Sequence, residues 1–151
     1  QLASPYFWAA YSDAIVRDER SWLRRAFKRH VLVSVGSTAF FVAVLAIAGA
    51  NIVDRWTHGR IELDATLLTW LLVWQCIVAA MNPAGALLNA FEAYRLQTLT
   101  SLLAGAVAVV LGFALAPTLG PWAVVACTSV AYLAFVAVPV TIRVKQLLNA
   151  P

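Results

Sequence analysis

Three stretches of this chain run without a charged side chain for at least the length needed to cross a bilayer: 31–53, 65–91 and 96–142. About 20 apolar residues in helical geometry span the hydrocarbon core, so the first two stretches each predict one membrane helix. The third is too long for one. It breaks at 117–121, where the run Pro-Thr-Leu-Gly-Pro predicts a tight turn and leaves spans at about 98–116 and 122–142. Residues 1–12 are also uncharged and rich in aromatics, but too few to cross. They read as the inner end of a further span whose beginning is missing, and the chain is therefore expected to be a fragment. Between 13 and 30 the pattern changes. Ile15, Val16, Trp22, Leu23, Ala26 and Phe27 recur at helical spacing among six basic residues. That predicts an amphipathic helix lying along the membrane interface. It reads either as a lipid-contacting or gating element, or as an ordinary topological anchor. Residues 143–151 form a tail. The expected fold is all-α, a multi-pass transmembrane helix bundle.

Composition agrees with the pattern. Hydrophobic residues make up 62% of the 151 residues, charged residues 12%, and mean hydropathy is +0.80. A soluble domain carries about 25% charged residues, so a compact soluble protein is excluded. The net charge of +4 would elsewhere suggest nucleic acid. Here the Lys and Arg residues stand at the ends of apolar runs, which points to membrane lipids as partners and not to nucleic acid. Counted by alternate loops, nine basic residues fall on one side and two on the other. By the positive-inside rule the nine are cytoplasmic, which places the basic segment 13–30 and the tail inside.

Candidate chemistry is sparse. His30 and His58 fall on opposite sides of the predicted membrane, and Cys76 and Cys127 have no ligand spacing to anything. No metal site, cofactor motif or catalytic constellation is visible, and the chain is not expected to be an enzyme. Asp54, Glu62 and Asp64 read as a solvated outer loop. The informative span is the second. Gln75, Asn82 and Asn89 recur every seven residues, hence within about 20° of one helical face. Amides are costly in hydrocarbon, so this face is expected to meet another helix or line a cavity for a polar cargo. Pro83 removes a backbone hydrogen bond and predicts a kink. In the third span Thr100, Ala104, Ala108, Gly112 and Ala116 form a stripe of small residues that lets a neighbouring helix come close.

The segment Ala10-Tyr11-Ser12-Asp13-Ala14, followed by Arg17-Asp18 and Trp22-Leu23-Arg24-Arg25, resembles the polysaccharide flippases of bacteria. These are the O-antigen (Wzx-type) members of the multidrug/oligosaccharidyl-lipid/polysaccharide exporter superfamily. Leu87-Leu88-Asn89, Arg95-Leu96-Gln97 and Gly120-Pro121-Trp122 are similar to further segments of that family. Ala9 and Ala90 stand where its members commonly carry proline and glycine. The resemblance covers nearly the whole chain and about the last third of a complete flippase. It implies the later part of one of two helical lobes that face a central cavity. It also implies a function: moving an undecaprenyl-diphosphate-linked oligosaccharide across the bacterial inner membrane for polysaccharide or O-antigen synthesis. The partners would be that lipid-linked oligosaccharide, membrane lipids and the remainder of the same transporter chain. Arg95, at the inner end of the second span, is the candidate for contact with the cargo's head group. Two alternatives stay open: a drug or metabolite antiporter of the same superfamily, and a small multi-pass scaffold subunit.

Overall fold

The computed structural model describes residues 4–60 and 64–149. Residues 1–3 of the opening aromatic run, Glu62 of the acidic loop and residues 150–151 of the tail lie outside them. Every regular element among the described residues is helical. Helix α1 spans Ser4–Val16, α2 Arg20–Thr57, α3 Ala65–Ala90 and α4 Tyr94–Leu119. The last helix begins as α5, Trp122–Tyr132, passes through one π-helical turn at Leu133–Ala137, and continues as α6, Val138–Asn149. Four of these are long and apolar enough to cross a membrane: Arg20–Thr57, Ala65–Ala90, Tyr94–Leu119 and Trp122–Asn149. The chain is an all-α bundle suited to a multi-pass membrane protein.

Element ends differ from the sequence expectation for local reasons. The basic segment 13–30 is not one interfacial helix. It is split at 17–19, where Asp18 takes a left-handed conformation with φ 54°. The Glu19 amide then bonds the Ala14 carbonyl and the Asp18 amide that of Ile15, which closes α1 in a Schellman turn. From Arg20 onward the basic residues are the opening turns of α2, continuous with the first apolar span. At the far end of the chain, residues 143–149 continue the last helix. Helix α4 runs through Pro117 to Leu119, because a proline forfeits one bond without forcing an end. Gly120, at φ 92°, ends it.

Helix α3 is central and touches every other helix. A Cβ on Gly49 of α2 would lie 3.6 Å from Leu68, near the start of α3. Farther down the pair, Ser34 reaches Ala79. That is the register of two antiparallel neighbours. Helices α4 and α5 form the other closely packed pair. Their contact is built on small residues, as membrane helices require when lipid is as apolar as leucine. Ala104, Ala108 and Gly112 are the buried residues of α4, and Ala123, Ala126 and Ala131 are buried on the facing helix. A Cβ on Gly112 would meet Val124 at 3.6 Å. Large apolar side chains point outward instead, among them Phe40, Phe41, Ile47 and Phe113.

The main core sits at one end of the bundle, around Tyr11, Leu23, Leu87, Leu88, Val136, Val140 and Val144. This is the end that carries most of the Arg and Lys residues, and two arginines hold it shut. Arg24 Nε donates to the Leu148 carbonyl at 2.7 Å, and Arg20 Nη1 to the Leu147 carbonyl at 3.4 Å. Both carbonyls belong to the last turn of α6, where backbone acceptors lack helical partners and the helix dipole attracts cations. Arg20 also pairs with Asp18 at 3.0 Å and lies over the Phe91 ring, 6.0 Å from its centroid.

Two departures from α-helical hydrogen bonding trace to proline. Pro139 cannot donate to the Phe135 carbonyl, and just before it the Val138 amide bonds five residues back to Leu133. Pro83 likewise leaves the Ala79 carbonyl without its helical donor. The Ser34 hydroxyl of α2 donates to that oxygen at 2.7 Å, the kind of repair that lets proline persist in membrane helices. At the opposite end Asp64 caps α3, its carboxylate accepting from the Thr66 amide at 2.8 Å. Asp64→Ala should lower stability by about 1 kcal/mol, read as a small fall in the thermal unfolding midpoint of the purified protein. Asp64→Asn should restore most of it.

Candidate functional site

The α3–α4 turn positions a polar but uncharged cleft. Glu92, left-handed at φ 56°, reverses the chain, and the Ala93 amide bonds the Leu88 carbonyl to close α3. Asn89 therefore ends α3 directly against the first turns of α4. On α4, Tyr94 and Thr98 lie one turn apart, as do Gln97 and Ser101. With Asn89 these five side chains line an open cleft of about 340 Å³. No charged side chain takes part in that lining.

Gln97 is the pivotal residue. Its Nε2 would stand 3.4 Å from a Cβ built on Gly85, so the side chain lies across α3 one turn before Asn89. Gly85 makes room for it. The Gln97 Oε1 atom is buried and has no hydrogen-bond partner among the described residues. A buried acceptor left unpaired costs about 1–3 kcal/mol. Thr100, by contrast, spends its hydroxyl on the Leu96 carbonyl of its own helix at 2.8 Å.

The heptad-spaced amides of α3 do not share one environment. Asn89 is half-buried and lines the cleft; Asn82 is half-buried and has its own partner; Gln75 is exposed on the bundle surface. They diverge because the core gathers at the end of the bundle where α3 finishes, while Gln75 lies nearer the other end. Pro83 is fully buried between them. Arg95 is exposed in the first turn of α4, next to Tyr94 of the cleft.

Sequence reasoning missed two groups. In the sequence Gln97 enters only through the family-like segment Arg95-Leu96-Gln97, although its spacing from Tyr94, Thr98 and Ser101 groups them on one helix face. The sequence offers His30 no metal partner, yet the side chain is 3% exposed. Its Nδ1 lies 3.0 Å from the Tyr11 hydroxyl, and its ring stacks on Phe7 with centroids 3.9 Å apart and planes 8° from parallel. The i, i+4 pair Phe7 and Tyr11 within an aromatic-rich run was the available signal. Among the described residues no three His, Cys, Asp or Glu side chains gather as a metal site, and both cysteines are free thiols.

Comparison with known proteins finds no matching family model, no matching curated protein and no matching solved structure.

Proposed function

We propose that this chain is the later part of a bacterial inner-membrane flippase for a lipid-linked oligosaccharide. The observation that carries the proposal is the neutral cleft at the α3–α4 turn, lined by amide and hydroxyl side chains alone. Amide and hydroxyl groups without charge suit a ligand that is itself rich in hydroxyls, since each sugar hydroxyl both donates and accepts. A cationic drug would be better served by carboxylates, and none lines this cleft. That favours an oligosaccharide over a drug as cargo.

The physical task is to carry a diphosphate and sugars past hydrocarbon. Unpaired charges and hydroxyls are too costly to bury there, whereas a polar groove holds them while the lipid tail stays in the bilayer. With the basic end of the bundle facing the cytoplasm, sugars would enter the cleft from inside, and Arg95 beside it would meet the head group. Outward movement of an anion is favoured by the membrane potential, by about 2.3 kcal/mol per charge per 100 mV. Pro83 costs the otherwise continuous α3 one backbone hydrogen bond and the last helix carries a π turn at Leu133–Ala137, and bending between inward-open and outward-open states would concentrate at these two places.

Gln97→Leu and Asn89→Leu in the intact transporter are expected to reduce export of lipid-linked glycan several-fold while the amount of folded protein stays unchanged. Export at the wild-type level by both variants would remove the cleft from the transport path. Arg95→Gln should impair export where Arg95→Lys does not.

A further inference from the structure

A second cleft, separate from the sugar-like one, lies between α1 and the opening turns of α2. It has a volume of about 530 Å³ and is lined by Tyr6, Phe7, Ala10, Trp22, Arg25, Ala26 and Arg29. We infer that this cleft is a binding site for the head-group phosphate of an anionic phospholipid. The inference stands whether or not the chain takes part in flipping.

The basic residues of α2 divide into two sets with different fates. Arg20 and Arg24 spend their guanidinium groups on the α6 carbonyls and, for Arg20, on Asp18. Arg25 and Arg29 face the cleft, and among the described residues neither forms an ion pair or a hydrogen bond. They stand one turn apart on one helix face, where like charges destabilise each other. An anion held between them removes that repulsion. Phosphate suits it best, because two guanidinium forks can each present parallel N–H donors to its oxygens.

The remaining walls fit a lipid. Tyr6 and Trp22 are exposed aromatics flanking the arginines, the residue types that settle at the level of lipid head groups. Ala10 and Ala26 keep the floor low. Phe7 is fixed by its stack on His30, which Tyr11 ties in turn. The acids nearest the site, Asp13 and Glu19, line a smaller neighbouring cleft with Arg17 that shares only its Ala10, Trp22 edge, so the phosphate position itself carries no negative side chain. An anionic leaflet supplies such phosphates in abundance and attracts basic segments to its surface.

The test uses the purified intact protein in phosphatidylcholine vesicles and measures its association with spin-labelled phosphatidylglycerol against spin-labelled phosphatidylcholine. The expected result is a several-fold preference for phosphatidylglycerol. It should fall to parity in Arg25→Gln/Arg29→Gln and persist in Lys28→Gln/Lys145→Gln, which removes equal charge outside the cleft. Ala26→Leu, which fills the floor and keeps both arginines, should also abolish the preference, and it serves where the double arginine variant folds poorly. Preference retained with the cleft filled, or lost equally in the two double variants, would overturn the site. Displacement of the labelled lipid by inorganic phosphate as readily as by unlabelled phosphatidylglycerol would also overturn the lipid assignment, in favour of a soluble phosphate.

Discussion

Tyr11→Ala is expected to be the most damaging single substitution in the described part of the chain, lowering stability by about 3–5 kcal/mol. Tyr11 is fully buried at the centre of the core that holds α1, α2 and α3 together. Removing its ring opens a cavity that the neighbouring helix ends cannot collapse to fill. It also strips His30 of its hydroxyl partner and removes the support beneath Phe7. Tyr11→Phe separates the two contributions. It keeps the ring and loses only the hydrogen bond, so a cost of about 1–2 kcal/mol is expected. Thermal unfolding of the detergent-solubilised protein, followed by circular dichroism, gives the order wild type, then Phe, then Ala. If the alanine variant melts with the wild type, the core is not organised around Tyr11.

The second large effect concerns the bond across helices α2 and α3. Ser34→Ala leaves the Ala79 carbonyl without a donor, because Pro83 has already removed its helical one. Hydrogen bonds between membrane helices are worth about 0.6 kcal/mol on average and up to about 1.7. An oxygen with no alternative partner belongs at the upper end, so a loss of about 1–2 kcal/mol is expected. The mechanism predicts a specific coupling. In a Pro83→Ala background the residue at 83 regains an amide hydrogen, the Ala79 carbonyl regains its helical bond, and Ser34→Ala should then cost close to nothing. A double-mutant cycle on unfolding midpoints measures this directly. Additive losses would show that Ser34 contributes by packing and not by repairing the proline defect.

Much of the architecture was legible because the membrane imposes lengths and polarities that are read along the chain alone. The absence of charge over 31–53 and 65–91 predicts helices there, since an uncharged run of that length suits a membrane helix, whereas a barrel strand needs only about 9–11 residues. The four-residue spacing of Ala104, Ala108 and Gly112 pointed to the face of α4 that is buried. Pro83 was recognisable as a defect in α3. Its repair was not, because Ser34 is 45 residues away from Ala79 in sequence and nothing local couples them. The break at Asp18 was also hidden, since the left-handed residue that closes α1 is not the glycine such turns usually carry.

The candidate sites divide in the same way. The polar spacing of α3 drew attention to Asn89, but spacing treats Gln75, Asn82 and Asn89 as equivalent. Only the gathering of the core at one end of the bundle separates an exposed Gln75 from a cleft-lining Asn89. The sequence by itself determined how many helices are long and apolar enough to cross a bilayer and which face of α4 is small, because helical period and bilayer thickness are properties of a single segment. It could not sort six clustered basic residues into two that cap α6 and two that face an open cleft. That division depends on where the last turn of α6 arrives, more than a hundred residues later in the chain. An arginine's role is set by the nearest unpaired acceptor, and tertiary packing alone decides which acceptor that is.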